Sequence, residues 1–344
     1  MNVIINNVMQ RWRSMRNLKM LQSRYLAQYA FIGVGSHAMQ NLYPVVQHLG
    51  IQLKYICCKN SEKLDLIERR FGVKATTSLD MILSDEEIKG VFICASSEFH
   101  YDIISRVIDS GKYCFVEKPP CQTSEQLDKL ISSDKNAHVM VGMQKRYSPL
   151  ILKLKAKLPK NLSQSYTMTY HTGAYPEGNP YTDLFIHPLD LAFFLFGDAE
   201  LKAVQRIKLN CSTSIQIMLR HNNAIGTLDL STAHSWSNPE ESVRINTPEG
   251  EYSLKQMERL SHYPHPKKIL GMPIEKIGLF TSSEEILLER NNFSPIIVNN
   301  QLYTQGFFSE VESFVDMVEY SGLNGSPLSS LISTYRLLNI LQQQ

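Results

Sequence analysis

The first half of the chain alternates between short apolar runs and segments with the apolar spacing of amphipathic helices. Strands are predicted at 28–35, 53–58, 90–96, 113–120 and 138–144, with helices at 37–49, 61–72, 101–111 and 124–134. Short strands that are apolar throughout pair in parallel and lie between two layers of helices. The alternation therefore predicts an α/β domain built on a doubly wound parallel sheet.

The turn after the first predicted strand carries a glycine pattern in the run GVGSHA. Gly33 permits a tight turn, Gly35 lets the backbone approach a pyrophosphate, and Ala38 is the small residue that a close helix–strand contact needs. The helix that follows points its N-terminus at the phosphates. The pattern predicts a Rossmann dinucleotide site in which Ser36 and His37 also take part.

The second predicted strand ends in Cys58 and Lys59, where an NAD-binding chain normally has an acid for the adenosine ribose. An acid there repels the 2′-phosphate of NADP, whereas a lysine attracts it. The sequence therefore favours NADP as the cofactor and keeps NAD as the alternative. In that alternative Lys59 is an ordinary surface lysine, and Asn60 or Ser61 meets the ribose.

Three motifs follow one another along the chain: FVEKPP at 115–120, VMVGMQKRYSP at 139–149 and TDLFIHPLDLAFFLFG at 182–197. In this order they resemble the Gfo/Idh/MocA oxidoreductases, the group of glucose–fructose oxidoreductase and inositol dehydrogenase. The resemblance runs from about residue 28 to the C-terminus. It implies hydride transfer between a nicotinamide and a carbon that bears a hydroxyl or carbonyl, on a sugar, polyol or sugar derivative.

The resemblance also implies a two-domain design. The Rossmann domain is predicted at 28–147 and a substrate and oligomerisation domain at 148–344, with C-terminal helices that return to the first domain. The second domain is expected to be α/β with an open, mainly antiparallel sheet, through which the chain would form a homodimer or homotetramer.

Three residues match the family's polar and acid–base groups: Lys118, Asp183 and His187. A histidine suits proton transfer because its pKa lies near working pH, and an ammonium stabilises charge that develops on the reacting oxygen. Asp183 would fix the imidazole tautomer or bind a substrate hydroxyl. Which of Lys118 and His187 transfers the proton stays open, as does a plain core role for His187. Asp190, one turn beyond His187, is expected to be structural.

Further positions are implied by the same resemblance. Cofactor contacts are expected from Cys58, Lys59, Ser96, Ser97, His100, Glu117, Lys118, Gln144 and Arg146, and substrate contacts from Tyr175, Asn179, Tyr181 and Trp236. The segment GAYPEGNP before Asp183 departs from the glycine-rich loop of the family, so substrate preference is expected to be encoded there. No metal is expected, although Asp183, His187 and Asp190 are ligand types at helical spacing.

Composition limits the other classes of partner. The net charge of +2 gives no reason to expect nucleic acid or an anionic membrane as a partner, and no apolar run approaches the roughly 20 residues of a membrane span. The six cysteines show no paired Cys-x-x-Cys spacing, which favours reduced thiols and a cytoplasmic location.

Residues 1–27 form a separate feature, because no Asp or Glu occurs before Glu62 while apolar residues recur every three to four positions. This pattern predicts a basic amphipathic helix. It would be an extension that packs on the domain or on a partner subunit, a result of start-site choice, or a targeting segment.

Two other functions compete with the dehydrogenase. One is an NAD-dependent glycosidase of the same family, which cleaves a glycoside by transient oxidation. The other is a non-catalytic, dinucleotide-binding regulatory protein.

Overall fold

The computed structural model describes residues 2–21, 23–277, 284–291 and 300–343. The described residues divide into two compact units. The first unit comprises Met1–Gln122, Asp128–Gly142 and Val311–Pro327, and the second comprises Thr123–Leu127, Met143–Glu310 and Leu328–Gln344.

The first unit is built on a six-stranded parallel sheet. Its strands are β1 (Gln28–Ile32), β2 (Gln52–Cys57), β3 (Lys74–Thr76), β4 (Ile88–Ile93), β5 (Tyr113–Glu117) and β6 (Val139–Gly142). Their order is β3-β2-β1-β4-β5-β6, so the direction of winding reverses beside β1, which is where ligands bind in this type of sheet. The predicted doubly wound fold is confirmed. The edge strand β3 was not predicted.

Helices connect these strands. They are α2 (Tyr43–His48), α3 (Leu64–Phe71), α4 (Leu79–Leu83), α5 (His100–Asp109) and α6 (Ser124–Ser133), preceded by α1 (Asn2–Leu21). The predicted N-terminal helix is therefore present as α1. Along residues 5–16 its side chains are exposed, among them Val8, Trp12 and Met15.

Aromatic side chains fill the core of the first unit. The ring of Phe92 on β4 lies 5.6 Å from that of Phe31 and 5.6 Å from that of Phe115 on the neighbouring strands. Phe314, on α10 (Phe307–Tyr320), packs edge-on against Phe92 at 4.9 Å. Each such ring removes a large apolar area from water, so the late segment 311–327 is part of this core.

The second unit contains an eight-stranded sheet. Its strands are β7 (Gln164–His171), β8 (Ala199–Leu209), β9 (Ser212–His221), β10 (Ala224–Ser231), β11 (Glu240–Thr247), β12 (Gly250–Lys255), β13 (Arg259–Pro264) and β16 (Glu285–Glu289). The order is β16-β13-β12-β11-β7-β10-β9-β8, and every neighbouring pair is antiparallel except β7 and β10. The expected open, mainly antiparallel sheet is confirmed. The short strands β14 (Lys268–Ile269) and β15 (Met272–Pro273) pair separately.

Apolar residues on one face of this sheet are buried, whereas the other face is largely polar and exposed, as alternation along β9 and β10 requires. Tyr166 on the buried face stacks on Phe196 at 4.3 Å. The remaining helices are α7 (Pro149–Lys157), α8 (Ile186–Phe196), α9 (Gln301–Thr304) and α11 (Ile332–Gln343). Exposed apolar side chains on the outer face include Met218 and Ile225.

Within the described ranges, no helix has both the length and the apolar character needed to cross a bilayer. All six cysteines are free thiols, and only Cys211 is exposed.

Candidate active site

The glycine loop has the geometry that its sequence predicts. Gly33 has φ +111°, and a Cβ there would overlap the carbonyl oxygen of Cys94, so only glycine fits this close approach. A Cβ at Gly35 would meet nothing within 4 Å, which leaves open space above the loop. Ala38 is fully buried, as close helix–strand packing requires. The residues present therefore fit a dinucleotide whose pyrophosphate approaches the backbone at Gly35.

An ion pair joins the glycine loop to the end of β5. Nε2 of His37 lies 3.2 Å from Oε1 of Glu117, whose side chain is almost fully buried. Burial alone would lower the pKa of His37, but the attraction and hydrogen bond of Glu117 outweigh it and the pKa is raised. Burial alone would raise the pKa of Glu117, but His37 and Lys118 hold it below its usual value. Lys118 itself is half-buried.

The loop that follows β4 is tied to the loop that follows β5. The ring nitrogens of His100 lie 2.8 Å from the carbonyl oxygen of Pro119 and 3.0 Å from that of Ala95, and burial lowers the pKa of this imidazole. Gln122 donates a hydrogen bond of 3.2 Å to Ser97. His100 therefore acts on the two loops through their backbone. Its predicted cofactor contact stays a prediction.

At the end of β2, Cys58 is buried and its thiol donates to the carbonyl oxygen of Asn60 at 3.3 Å. Lys59 is exposed, and its ammonium lies 5.2 Å from the ring centre of Phe99. Ser96, at the start of the turn that contains Phe99, is exposed as well. The exposed ammonium is free to meet an anionic group from solvent, because an aromatic ring does not neutralise its charge.

In the second unit, Asp183 lies in a π-helical turn, Tyr181–Phe185, that leads directly into α8. Its carboxylate accepts a hydrogen bond of 3.0 Å from the backbone N–H of Asn179 and one of 3.3 Å from the hydroxyl of Thr182. These bonds hold the end of the preceding loop against the start of the helix.

The same carboxylate accepts a hydrogen bond from Tyr175, whose pKa is raised by burial and by the charges of Asp183 and Glu177. A Cβ at Gly178 would overlap both Asp183 and the ring of Tyr175. The loop therefore closes around Asp183. Its predicted role as the group that orients an imidazole remains a prediction.

Aromatic side chains line the same loop. Trp236 packs directly on Gly173 and donates from its indole nitrogen to the carbonyl oxygen of Ala174 at 2.8 Å. Its ring lies 6.4 Å from that of Tyr175 and is half-exposed. Two predicted substrate residues are thus brought together with the loop that carries Asp183.

Tyr181, a third predicted substrate residue, has the guanidinium of Arg206 at 5.4 Å from its ring centre. Arg206 lies on β8 and also donates to the carbonyl oxygen of Leu341. No sequence motif pointed to Arg206, because its partners Tyr181 and Leu341 lie far from it along the chain and only the folded structure brings them together.

The remaining predicted residues of this unit are buried. His187 lies in the first turn of α8 with 7 % of its surface exposed. Gln144 lies in the short helical turn after β6 and is buried too. Pro188 follows His187 directly and is the third residue of α8, which continues the π-helical turn Tyr181–Phe185.

Arg146 is buried and forms an ion pair with Asp190. Its Nε donates to Asp190 at 2.7 Å and a second nitrogen donates to the other carboxylate oxygen, so the pair is bidentate. The third nitrogen donates to Ser330 at 2.8 Å, and Thr334 donates to Asp190 at 3.3 Å. Each of the three guanidinium nitrogens thus has a protein partner, and the expected cofactor contact of Arg146 stays a prediction. The structural role expected for Asp190 agrees with this arrangement.

Among the residues that the structure describes, no group of three or more His, Cys, Asp or Glu side chains could hold a metal ion. The expected absence of a metal stays a prediction.

The family match to known proteins lies in the first part of the chain. Residues 27–145 match the model of the Gfo/Idh/MocA oxidoreductase family, NAD-binding Rossmann fold. Inositol 2-dehydrogenase of Rhizobium meliloti is 27 % identical over 146 residues, which are 39 % of this chain and 44 % of that protein. UDP-N-acetylglucosamine 3-dehydrogenase of Acidithiobacillus ferrooxidans is 26 % identical over 151 residues, 42 % of this chain and 47 % of that protein.

The chain thus spans less than half the length of these curated relatives. The fold likeness extends further. A crystal structure of a dehydrogenase (MviM) from Clostridium difficile superposes with a TM-score of 0.77 at 18 % identity, over 92 % of this chain and 99 % of that one. The family match, the curated relatives and the shared fold agree with one another: residues 27–145 are similar to the NAD-binding Rossmann fold of the Gfo/Idh/MocA oxidoreductase family, and the likeness of fold extends over 92 % of the chain.

Proposed function

We propose that this protein is an NAD(P)-dependent oxidoreductase that acts on a hydroxyl or carbonyl carbon of a sugar, polyol or sugar derivative. The observation that carries the proposal is the glycine loop, in which Gly33 fits only glycine and Gly35 leaves room for a pyrophosphate. The family match over residues 27–145 and two relatives named as dehydrogenases of an inositol and of a nucleotide sugar support it.

When bound, the nicotinamide supplies the acceptor or donor of hydride. Lys118 and His187 are the groups of this chain that we assign to the reacting oxygen and its proton. The half-buried ammonium of Lys118 would stabilise negative charge on that oxygen, and His187 would take or give the proton. Asp183 is assigned to orientation, through the loop that it holds and through the tautomer of His187.

The first experiment is a panel of inositols, sugars and nucleotide sugars with NAD⁺ and with NADP⁺, followed by absorbance of the reduced nicotinamide. Turnover of at least one member is expected. His187→Ala should lower turnover by about 10²–10⁴ while cofactor affinity stays nearly unchanged. His48→Ala, an exposed histidine at the end of α2, is the matched control and should keep parental turnover. Parental turnover in His187→Ala would remove that residue from the mechanism.

The competing functions give different outcomes in the same experiment. A glycosidase would release a chromogenic aglycone without added cofactor and without net reduction of nicotinamide. A regulatory protein would bind NADPH or NADH without turnover of any substrate, and Lys118→Ala would leave that binding unchanged.

For the cofactor we propose NADP in preference to NAD. The support is the exposed ammonium of Lys59 directly after β2, together with the absence of a carboxylate at this strand end, which carries Cys57, Cys58, Lys59 and Asn60. A lysine at this point favours the 2′-phosphate of NADP by charge.

We further propose that the protein is a homodimer or homotetramer that associates through the outer face of the eight-stranded sheet. Ile207, Met218 and Ile225 are exposed on that face, with 62 %, 48 % and 48 % of their surface accessible. Apolar side chains on an open sheet face are typical of a surface that another subunit covers. The cytoplasmic location is likewise a proposal, supported by the free thiols.

A further inference from the structure

The histidine of the glycine loop has no role in the hydride transfer proposed above. His37 lies two residues beyond Gly35, in the first turn of the helical segment 36–48. Its Nε2 faces Oε1 of Glu117 at 3.2 Å, and its Nδ1 lies 3.0 Å from the side-chain amide of Asn41. An amide offers a donor and an acceptor and can rotate, so Asn41 can satisfy Nδ1 in either protonation state. The site thus accommodates both the neutral and the charged imidazole.

The charges around this imidazole favour its protonated form. Glu117 attracts the proton and outweighs the opposing effects of burial and of Lys118, so the pKa of His37 lies above its ordinary value. The other titratable groups beside the pair are Cys94 and His100. Burial raises the pKa of Cys94 and lowers that of His100, so both are uncharged near neutral pH.

The position of His37 is also the place where negative charge is expected. Gly35 directly precedes the helical segment 36–48 and accepts a hydrogen bond of 3.0 Å from the backbone N–H of Met39, so the positive end of the helix dipole lies beside this glycine, where an added Cβ would meet no protein atom within 4 Å. A cation in the first turn adds to that field. The buried carboxylate of Glu117 offsets this cation in the free protein and so allows a charged imidazole to lie at the positive end of a helix.

We propose that His37 is a proton-linked cation beside the pyrophosphate of the dinucleotide, which acts on it by charge while both ring nitrogens keep their protein partners, and that Glu117 is the counterion that keeps it charged in the free protein. The inference rests on the proposed function, because it requires a dinucleotide at Gly35. Bound phosphates add negative charge near His37 and raise the proton affinity of the imidazole further. Cofactor binding is then strongest below the pKa of free His37 and weakens as pH rises through the pKa of the complex.

The test is the affinity for NADH and for NADPH, measured by fluorescence titration between about pH 6 and pH 9, the range in which a histidine titrates. The dissociation constant of the parent chain should rise with pH by about tenfold, since one proton gives at most tenfold per pH unit. The glutamine of His37→Gln can still hydrogen-bond to Glu117 but does not titrate. The dissociation constant of this variant should therefore change by less than about twofold over the same pH range. His48→Gln, at the other end of the same helical segment, is the matched control and should keep the parental profile.

A second measurement needs no cofactor. In the free protein, the imidazole NMR signals that disappear in His37→Gln should titrate above the ordinary histidine value of about 6.5, and should move higher with NADH. Equal pH profiles in the parent and in His37→Gln, or a His37 that titrates at or below its ordinary value, would overturn the inference. Tight binding that does not depend on pH contradicts the inference and leaves the proposed function standing. Failure of NADH and NADPH to bind at any pH refutes both.

Discussion

At the scale of single residues, Arg146 and Asp190 form a buried ion pair that their sequence motifs do not predict. Both residues lie in motifs that resemble family signatures, yet Arg146 uses its whole guanidinium on Asp190 and Ser330. Their side chains are 6 % and 3 % exposed. A buried carboxylate that loses its partner, or a buried guanidinium left alone, is strongly unfavourable.

We therefore expect Asp190→Ala to lower the free energy of unfolding by about 3–5 kcal/mol, because it leaves Arg146 buried without its counterion. Denaturant unfolding measures this. Asp80→Ala, which removes the partner of Arg106 in an exposed pair, is the control and should cost about 1 kcal/mol or less. The double variant Arg146→Met with Asp190→Leu should recover part of the loss. Similar values for Asp190→Ala and Asp80→Ala would contradict the assignment.

Lys59 permits a second test at this scale. Lys59→Asp replaces the exposed ammonium by a carboxylate. This carboxylate would repel the 2′-phosphate of NADP and could bind the ribose hydroxyls of NAD. The ratio of NADPH to NADH affinity should fall by about tenfold, which corresponds to about 1.4 kcal/mol. Lys63→Asp, also exposed and four residues further on, is the control with the same charge change. Equal affinities for NADPH and NADH in the parent chain would refute the proposed preference.

At the scale of elements, the two glycines of the glycine loop have different roles: Gly33 is needed for folding, and Gly35 is expected to matter for ligand binding. Gly33 is required by the protein itself, since φ is +111° and a Cβ would overlap Cys94. A Cβ added at Gly35 would meet no protein atom within 4 Å. Gly33→Ala should therefore destabilise the first unit by about 1–3 kcal/mol.

Gly35→Ala should leave the free energy of unfolding within about 0.5 kcal/mol of the parent value. It should nevertheless weaken NADH binding by tenfold or more, because the methyl group would occupy the space that the pyrophosphate needs. Thermal unfolding and an NADH titration on the two variants give both quantities. A Gly35→Ala variant with parental affinity would show that the dinucleotide does not approach at this point.

Some strands have a sequence pattern that predicts them, and others do not. β1, β4 and β5 are continuous apolar runs between helical segments, so their pattern was sufficient. β3 is three residues long, too short for a periodic signal to appear. β8 was missed for another reason: it is an edge strand with many exposed polar residues, and only its pairing with β9 defines it.

Contacts between distant residues were beyond a sequence pattern. Asp183, Asn179 and Thr182 lie within five residues of one another, so their local bonds follow from spacing. The contact of Trp236 with Gly173 and the pairing of Arg146 with Asp190 depend on how the sheet and helices fold back. Local hydrogen bonds such as those of Asp183 can thus be predicted from spacing, whereas the partners of Trp236 and Arg146 cannot.

At the scale of the whole molecule, the outer face of the eight-stranded sheet is the surface to test. If a second copy covers it, Ile225→Lys should convert the oligomer to a monomer, because a charge at the centre of an apolar contact is left without a partner. Light scattering coupled to size-exclusion chromatography measures the mass. Leu66→Lys changes an apolar side chain of the first unit that is 64 % exposed, against 48 % for Ile225; it is the control and should leave the mass unchanged. A parent chain that is already monomeric would refute the proposed association.

The composition of the first unit also determines when during synthesis it can be completed. Its core includes Phe314, and its strand β6 is bonded to Ser326, so the unit needs residues 311–327. A ribosome makes those residues only after the whole of the eight-stranded sheet. The first unit, although it begins the chain, therefore cannot be completed until after the eight-stranded sheet has been made, and until then the rings of Phe92 and Phe115 lack their final cover. A nascent chain of this protein must wait, with an unfinished core, for its own C-terminal segment to arrive.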